Sequence, residues 1–343
     1  MHSLSGVNAG NGPGSSLPKA VFFDHDGGAD DLLSLMLLLT MPHIDLLGIT
    51  VTPADCFAED AVESTLKLLK LEGKTGVEVG TLYYHGTNAF PAEWRARPKI
   101  INALPIMLNV EVPFNLEQLP ESEALLASRI SASGQPVTIL MTGPCSSLVK
   151  ALQRQPALAS NIEEVVWMAG ALDVAGNVRM HHHDGSAEWN VFWDPESTAR
   201  LLALGLPLTL VPLDVTNKVP VNLPFLKKLA KQASYEYASL AGQIWATTID
   251  TIPAVDYTYF MWDVLSTSYL AIPDAFTMET VEIAVEERGR QAGNIYRAPG
   301  SGRQVKIASN VQKEVFYQYI HKQFGRNFGA GAPSASIAGK KVV

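Results

Sequence analysis

The 343-residue sequence predicts an α/β fold, a single domain with a central, mainly parallel sheet flanked by helices. Short apolar runs rich in β-branched residues alternate with longer amphipathic segments, as in AVFFD followed by DDLLSLMLLL. Near-continuous apolar strands separated by helices are typical of a parallel sheet covered on both faces. No Pro-, Gly- or Ser-rich stretch divides the chain and no repeat of fixed period is found, so we predict one domain over residues 18–330.

The alternation of strands and helices can be followed along the chain in order. After the first pair come IDLLGITVT with AEDAVESTLKLLKLE, PVTILMTG with SSLVKALQR, IEEVVWMAG with PESTARLLALG, and finally LPLTLVPLD. Two stretches that carry aromatic side chains, residues 83–105 and 249–260, are predicted to be irregular loops that cover a site. Residues 1–17, rich in Gly and Ser, and residues 331–343 are predicted to be flexible tails.

Composition and charge exclude several classes of function. Hydrophobic residues make up 47% and charged residues 17%, which provides a large core and excludes a disordered chain. A net charge of −8 without a Lys/Arg run argues against a nucleic-acid partner. The longest apolar run, residues 32–41, is half the roughly 20 residues that span a bilayer, so no membrane partner is predicted. The two cysteines, Cys56 and Cys145, cannot form a disulfide framework and suit a cytoplasmic location.

Four carboxylates lie within eight residues where the first strand turns into the first helix. They are Asp24, Asp26, Asp30 and Asp31. Acids this crowded repel one another and need a cation or protons to offset the repulsion. Helix capping would explain Asp30 and Asp31 but leaves the other two acids unexplained. Because an all-oxygen ligand set selects calcium or magnesium over zinc, the cluster predicts a site for a hard divalent metal at the carboxyl ends of the strands.

Three other kinds of site begin with a similar acidic or glycine-containing segment. An EF-hand loop counted from Asp24 would need Gly and Glu where Ala29 and Leu35 stand. A dinucleotide or P-loop site would need a glycine pattern or a Lys-Ser/Thr ending that this segment lacks. A magnesium-dependent phosphatase of the haloacid dehalogenase kind opens with Asp-x-Asp, but Gly28 replaces the expected Thr or Val. That phosphatase, and a non-catalytic protein that binds calcium and sugar, remain alternatives.

The pattern Asp-x-Asp-x-x-x-Asp-Asp at residues 24–31 resembles the signature of the nucleoside hydrolase family. The resemblance extends to VTPADCF, FPAEWR, MTGP, GNVRMHHHDGSAEWNVFWDP and YFMWDVL, and covers the chain from about residue 19 to the last helix. It is strongest to the purine-specific branch, which prefers inosine, adenosine and guanosine. The resemblance implies a Rossmann-like fold, a calcium cofactor, a homodimer, and hydrolysis of purine nucleosides to base and ribose in purine salvage.

The resemblance also assigns roles to the matching residues. The implied calcium ligands are Asp26, Asp31, Asp263 and the main-chain carbonyl of Thr142. The residues implied to bind the substrate are Asp30, Asp55, Asn177, Glu188, Asn190 and Asp263. Among these, Asp55 is expected at the purine edge and the others at the ribose. Gly28 departs from the Asn expected in this branch, which removes one sugar contact.

Cleaving an N-glycosidic bond needs a stabilised oxocarbenium-like sugar, a water at the anomeric carbon, and a base that can leave. A metal-held water attacking opposite the base, with inversion, is expected, and Asp26 is predicted to be its general base. No side-chain acid is evident, because Trp262 stands where pyrimidine-tolerant relatives carry a His. Trp94 and Trp262 are predicted to sandwich the purine and to favour its protonated form.

Further aromatic and imidazole side chains lie in segments near the predicted site residues. His85 and residues 181–183 could act as alternative acids, although solvated loop positions are the simpler interpretation. Tyr257 and Tyr259 are predicted to belong to a lid over the nucleoside, with ordinary packing as the alternative.

Overall fold

The strands and helices follow the predicted alternation in a computed structural model that describes residues 17–248 and 258–329. In this part of the chain the strands are Lys19–His25 (β1), Ile44–Val51 (β2), Val79–Thr81 (β3), Val137–Met141 (β4), Ile162–Trp167 (β5), Leu208–Leu210 (β6), Phe276–Val285 (β7), Ile295–Arg297 (β8) and Arg303–Val311 (β9). The α-helices are Ala29–Leu39 (α1), Ala58–Leu71 (α2), Ala92–Arg95 (α3), Arg97–Asn102 (α4), Pro105–Leu108 (α5), Ser122–Ala132 (α6), Ser146–Arg154 (α7), Trp189–Trp193 (α8), Pro195–Leu204 (α9), Leu213–Thr216 (α10), Leu223–Ala230 (α11), Glu236–Thr248 (α12), Trp262–Ser268 (α13) and Lys313–Phe324 (α14).

These strands form one sheet in the order β3-β2-β1-β4-β5-β6-β9-β7-β8. The strands from β3 to β9 in this order are parallel, and β7 is antiparallel to both of its neighbours. The first six strands have the order of a Rossmann fold, so the predicted α/β class with a mainly parallel sheet is confirmed. Strand β1 lies between β2 and β4. Strands β2 and β3 extend the sheet on one side of β1, and β4 to β6 extend it on the other, so the strand order reverses at β1. The crevice at the carboxyl ends of β1 and β4 is therefore where a ligand is expected.

The core lies on both faces of the sheet, because successive side chains along a strand point to opposite faces. In β1, Val21 and Phe23 pack into one hydrophobic cluster, whereas Ala20 and Phe22 pack into the cluster on the other face. The apolar run that forms most of α1 is buried within the first cluster, which accounts for its composition. In residues 17–248 and 258–329, the helices lack the combination of length and apolarity needed to cross a membrane.

The two stretches that were predicted to be irregular loops, residues 83–105 and 249–260, differ in how much of each the structure describes. Residues 83–105 were expected to form a loop, but Ala92–Arg95 and Arg97–Asn102 are helical, so the prediction is wrong for the second half of that stretch. Of the second stretch, residues 258–260 are described, and Phe260 forms a β-bridge with Pro220. Residues 249–257, which include Tyr257, lie outside the described residues, as do the predicted tails apart from Leu17.

Candidate active site

A cavity of about 1100 Å³ opens at the carboxyl ends of the parallel strands. The eleven residues to which the family resemblance and the expected chemistry assign metal binding, substrate binding or catalysis all line it. These residues are Asp26, Asp30, Asp31, Asp55, Trp94, Thr142, Asn177, Glu188, Asn190, Trp262 and Asp263. They come from segments up to 237 positions apart in sequence, from Asp26 to Asp263, and the sheet topology brings them to one crevice.

The acidic residues are positioned by a tight turn between β1 and α1. Gly27 has a φ of 81°, and a Cβ there would lie 2.6 Å from the Cβ of Ala61, so the turn requires glycine. The main-chain N–H of Gly28 donates to Oδ2 of Asp31 at 2.8 Å, which holds that carboxylate over the first turn of the helix. Asp30 and Asp31 thus lie in the first turn of α1, close to the end of β1.

Gly28 shapes the site because it lacks a side chain. A Cβ at this position would lie 2.7 Å from Oδ2 of Asp55 and 3.1 Å from Oδ2 of Asp31. The Asp55 carboxylate therefore occupies space that an Asn at residue 28 would disturb. Burial raises the pKa of Asp55, and its carboxylate lies close enough to those of Asp30 and Asp31 for their repulsion to raise this pKa further.

Carboxylate oxygens of Asp30, Asp31 and Asp263 lie within 4.8 Å of one another and could hold a metal ion. This group differs from the set predicted from the sequence, because it contains Asp30 in place of Asp26. The Asp30 carboxylate also accepts a hydrogen bond from the Tyr259 hydroxyl at 2.8 Å. Asp263 is the second residue of α13, not its N-cap, which is Met261.

The electrostatics of this group favour binding of a cation. Burial, reinforced by repulsion from neighbouring carboxylates, raises the pKa of Asp26, Asp55 and Asp263 well above the usual range of a carboxyl group. Burial also raises the pKa of Asp31 to about 7. Among the described residues, Oδ2 of Asp26 and Oδ1 of Asp55 are buried without a hydrogen-bond partner. Oxygen donors that are crowded and unpartnered in this way fit a hard divalent cation.

The polar residues predicted to hold ribose are fixed by hydrogen bonds to the main chain. Glu188 caps α8 and accepts from the N–H groups of Asn190 at 2.9 Å and Gly170 at 3.0 Å. Asn177 Oδ1 accepts from the N–H of Trp189 at 3.1 Å. The amide of Asn190 donates to the Thr142 carbonyl at 2.8 Å. These contacts restrict the side chains of three residues that line the cavity.

Two aromatic groups contribute to the cavity wall. Trp94 packs edge-on against Trp189, with ring centroids 5.4 Å apart, and both line the cavity. Trp262 packs edge-on against Tyr259 at 4.8 Å, and its indole N–H donates to Oδ1 of Asn217 at 3.2 Å. Trp189 and Asn217 were not predicted from the sequence. The position of Trp189 between two predicted site residues, Glu188 and Asn190, was the signal that could have found it.

Some sequence-based candidates lie elsewhere. Asp24 was grouped with the other acids, but it does not line the cavity, and its carboxylate accepts from the hydroxyls of Thr50 at 2.8 Å and Thr52 at 3.4 Å. The interpretation of four acids in one metal site is therefore wrong for Asp24, because its position within β1 directs it beneath the crevice. His85 is exposed outside the cavity, and so are the first two residues of the 181–183 triplet.

Comparisons with known proteins agree on one family. Residues 21–318 match the family model of the inosine-uridine preferring nucleoside hydrolases. The inosine-uridine preferring nucleoside hydrolase from Bacillus anthracis has a crystal structure that superposes with a TM-score of 0.84 at 33% identity, covering 90% of this chain and 99% of that chain. The purine-preferring ribonucleoside hydrolase from Gardnerella vaginalis shares the fold, with a TM-score of 0.73 at 22% identity and coverage of 90% and 98%.

A curated relative carries a different base preference in its name. The pyrimidine-specific ribonucleoside hydrolase RihA of Escherichia fergusonii is 28% identical over 214 residues, which is 59% of this chain. The match spans 63% of the length of that relative.

Proposed function

Because the chain belongs to the inosine-uridine preferring nucleoside hydrolase family, we propose that it hydrolyses the N-glycosidic bond of purine ribonucleosides to free base and ribose, in purine salvage. Inosine, adenosine and guanosine are the proposed substrates. The observation that carries this choice is that a single cavity is lined both by the buried carboxylates and by two tryptophans, Trp94 and Trp262. Indole rings offer a large flat surface on which a bicyclic base gains more contact than a pyrimidine.

Calcium is the proposed cofactor. Its proposed ligands are Asp26, Asp31, Asp263 and the main-chain carbonyl of Thr142, and the adjacent Asp30 is proposed to bind the sugar. A bound calcium ion would supply Lewis-acid chemistry, lowering the pKa of water and binding vicinal hydroxyl groups. The crowding of buried carboxylates supports this proposal, because a cation would offset both their burial and their mutual repulsion.

Asp26 is the proposed general base. Its Oδ2 atom is buried and lacks a hydrogen-bond partner within the described residues, so it is available to accept a proton from the attacking water. The surrounding carboxylates favour the positive charge that develops on the sugar as the bond breaks. Attack from the face opposite the base inverts the anomeric centre. Asn177, Glu188 and Asn190 are proposed to hold the ribose hydroxyls, and Asp55 to contact the purine edge.

Departure of the base is assigned to the aromatic residues. A purine stacked on Trp94 and Trp262 is stabilised in its protonated form by cation–π attraction, which raises its basicity and permits protonation from solvent. The homodimer and the cytoplasmic location expected from the sequence remain predictions.

Replacing Trp262 with Ala is expected to lower kcat on inosine by about 10²-fold, the scale of losing leaving-group activation. The loss on p-nitrophenyl riboside should be much smaller, because its leaving group departs without protonation. Trp262→Phe keeps a stacking surface, so its kcat on inosine should lie between those of Trp262→Ala and the wild type. Steady-state kinetics on both substrates, with thermal melting as a folding control, test this. Equal losses of kcat on the two substrates would refute leaving-group stacking.

The proposed function is tested by ribose release from inosine, guanosine, adenosine and uridine, with calcium and after its removal by a chelator. We expect kcat/KM for the purine nucleosides to exceed that for uridine by about tenfold, the scale of one additional stacking contact. Activity should be lost on chelation and recovered with calcium. Equal efficiency on uridine and inosine would overturn the purine preference alone. Phosphate release from p-nitrophenyl phosphate without ribose release would favour the phosphatase.

A further inference from the structure

Asn217 lies beside the indole of Trp262 and has no role in the mechanism proposed above. It is an exposed residue that caps the C-terminus of α10, and both it and Trp262 line the cavity. Its Oδ1 accepts the indole N–H at 3.2 Å. An indole N–H can only donate, so it must pair with the oxygen of the amide. This bond fixes the orientation of the amide and leaves the two N–H donors of Asn217 for another partner.

The amide nitrogen of Asn217 has no hydrogen bond to any residue in the described part of the chain. Nearby, the Tyr259 hydroxyl is already donated to Asp30 at 2.8 Å. Asn217 therefore presents a donor at the edge of the Trp262 ring. A base that stacks on the face of that ring with an edge toward Asn217 would bring an acceptor on that edge within reach of the amide.

We propose that Asn217 is a specificity-determining residue that donates to a carbonyl group on the base, so that the enzyme prefers 6-oxopurine nucleosides to adenosine. The 6-carbonyl of inosine and guanosine accepts a hydrogen bond, whereas adenosine presents an amino group there, and two donors repel. The inference rests on the proposed function, because it needs a purine stacked on Trp262. It extends that function by choosing among the purines.

The test compares two substitutions of Asn217 with a matched control. Asn217→Asp keeps an oxygen for the indole N–H but has no amide donor, and Asn217→Leu removes both groups. Asn109→Asp makes the same chemical change at another exposed helix C-cap, at the end of α5 and outside the cavity. Ribose release would be measured on inosine, guanosine, adenosine and purine riboside, which has no substituent at position 6.

The wild type is expected to favour inosine over adenosine by about tenfold in kcat/KM, the scale of one hydrogen bond. Asn217→Asp should lower inosine and guanosine hydrolysis by about tenfold. It should leave purine riboside almost unchanged and raise adenosine hydrolysis, since a carboxylate accepts from the amino group. Asn217→Leu should lower kcat/KM for all four substrates, because the Trp262 ring loses the hydrogen bond that holds it in place. Asn109→Asp should behave as the wild type.

A second readout does not depend on turnover. Quenching of tryptophan fluorescence by hypoxanthine and by adenine reports binding of each base, and Asn217→Asp should reverse the order of the two dissociation constants. Equal changes for inosine, adenosine and purine riboside, or an unchanged order of base binding, would overturn the role of Asn217 while the proposed function stands. A wild type that releases ribose from no purine nucleoside would overturn the proposed function and this inference with it.

Discussion

Replacing Asp26 with Asn is expected to lower kcat/KM on inosine by ~10³-fold or more, at saturating calcium, with the fold intact. The Asp26 carboxylate follows β1, lines the cavity and has a buried oxygen without a hydrogen-bond partner in the described residues, and an amide of the same shape cannot accept the proton of water. The substitution also weakens the proposed calcium site by one anionic ligand. Ribose release across a calcium titration separates the two effects, because only the weakened metal site is overcome by added calcium.

The same substitution should not destabilise the chelated protein. The pKa of Asp26 is raised by burial first and by repulsion from Asp31 second, so a neutral side chain there removes an unfavourable charge. Its melting temperature in chelator should equal or exceed that of the wild type. Asp45→Asn, which makes the same change at an exposed position, is the control and should alter neither activity nor melting. Near wild-type turnover by Asp26→Asn would refute the role as general base, and a large drop in melting temperature would show a structural role.

The parallel part of the fold could be predicted because burial on both faces leaves a plain mark on the sequence. Strand β1 is apolar at consecutive positions, since Phe22 and Phe23 enter cores on opposite sides of the sheet. Helix α1 is apolar around most of its circumference for the same reason. Neither feature depends on distant segments, so local patterns are sufficient.

Other elements could not be predicted because contacts remote in sequence determine them. Ala92–Arg95 and Arg97–Asn102 are helices of only four and six residues, too short to be stable alone, and they depend on packing against their surroundings. The antiparallel strand β7 is half-buried along most of its length, so it lacks the continuous apolar character of the parallel strands.

The candidate site, like the fold, could be predicted only where the signal is local in the sequence. The spacing of the aspartates indicated a charged cluster, but it could not separate Asp24 from Asp26. That separation depends on where β1 ends: Asp24 lies within the strand and is held by Thr50, whereas Asp26 follows it and reaches the cavity. Asn217 left no local signal, because its relation to Trp262 arises from the packing of α10 beside α13.

Calcium is expected to stabilise the protein more at pH 8 than at pH 5. Burial raises the pKa of Asp31 from 3.8 to about 7, and burial raises those of Asp26 and Asp263 in the same direction. An acid whose pKa is higher in the folded state contributes stability below its unfolded pKa, and this contribution is lost as the pH rises through the folded pKa. Without metal, ionisation of Asp31 therefore lowers the stability of the folded state as the pH rises from 4 to 7. A bound cation favours the ionised carboxylates and removes this cost.

The measured quantity is the difference in melting temperature between saturating calcium and chelator, from pH 5 to pH 8. Two buried histidines act in the opposite sense, because burial lowers the pKa of His25 to about 3 and of His321 to about 4. Their contribution rises as the pH increases toward 6.5, but it is present with and without calcium and cancels in the difference. We expect this difference to grow by roughly 5 °C or more over the range. A difference that stays constant with pH would mean that these carboxylates are ionised in the folded protein even without metal. Calcium would then not be what allows them to be buried together.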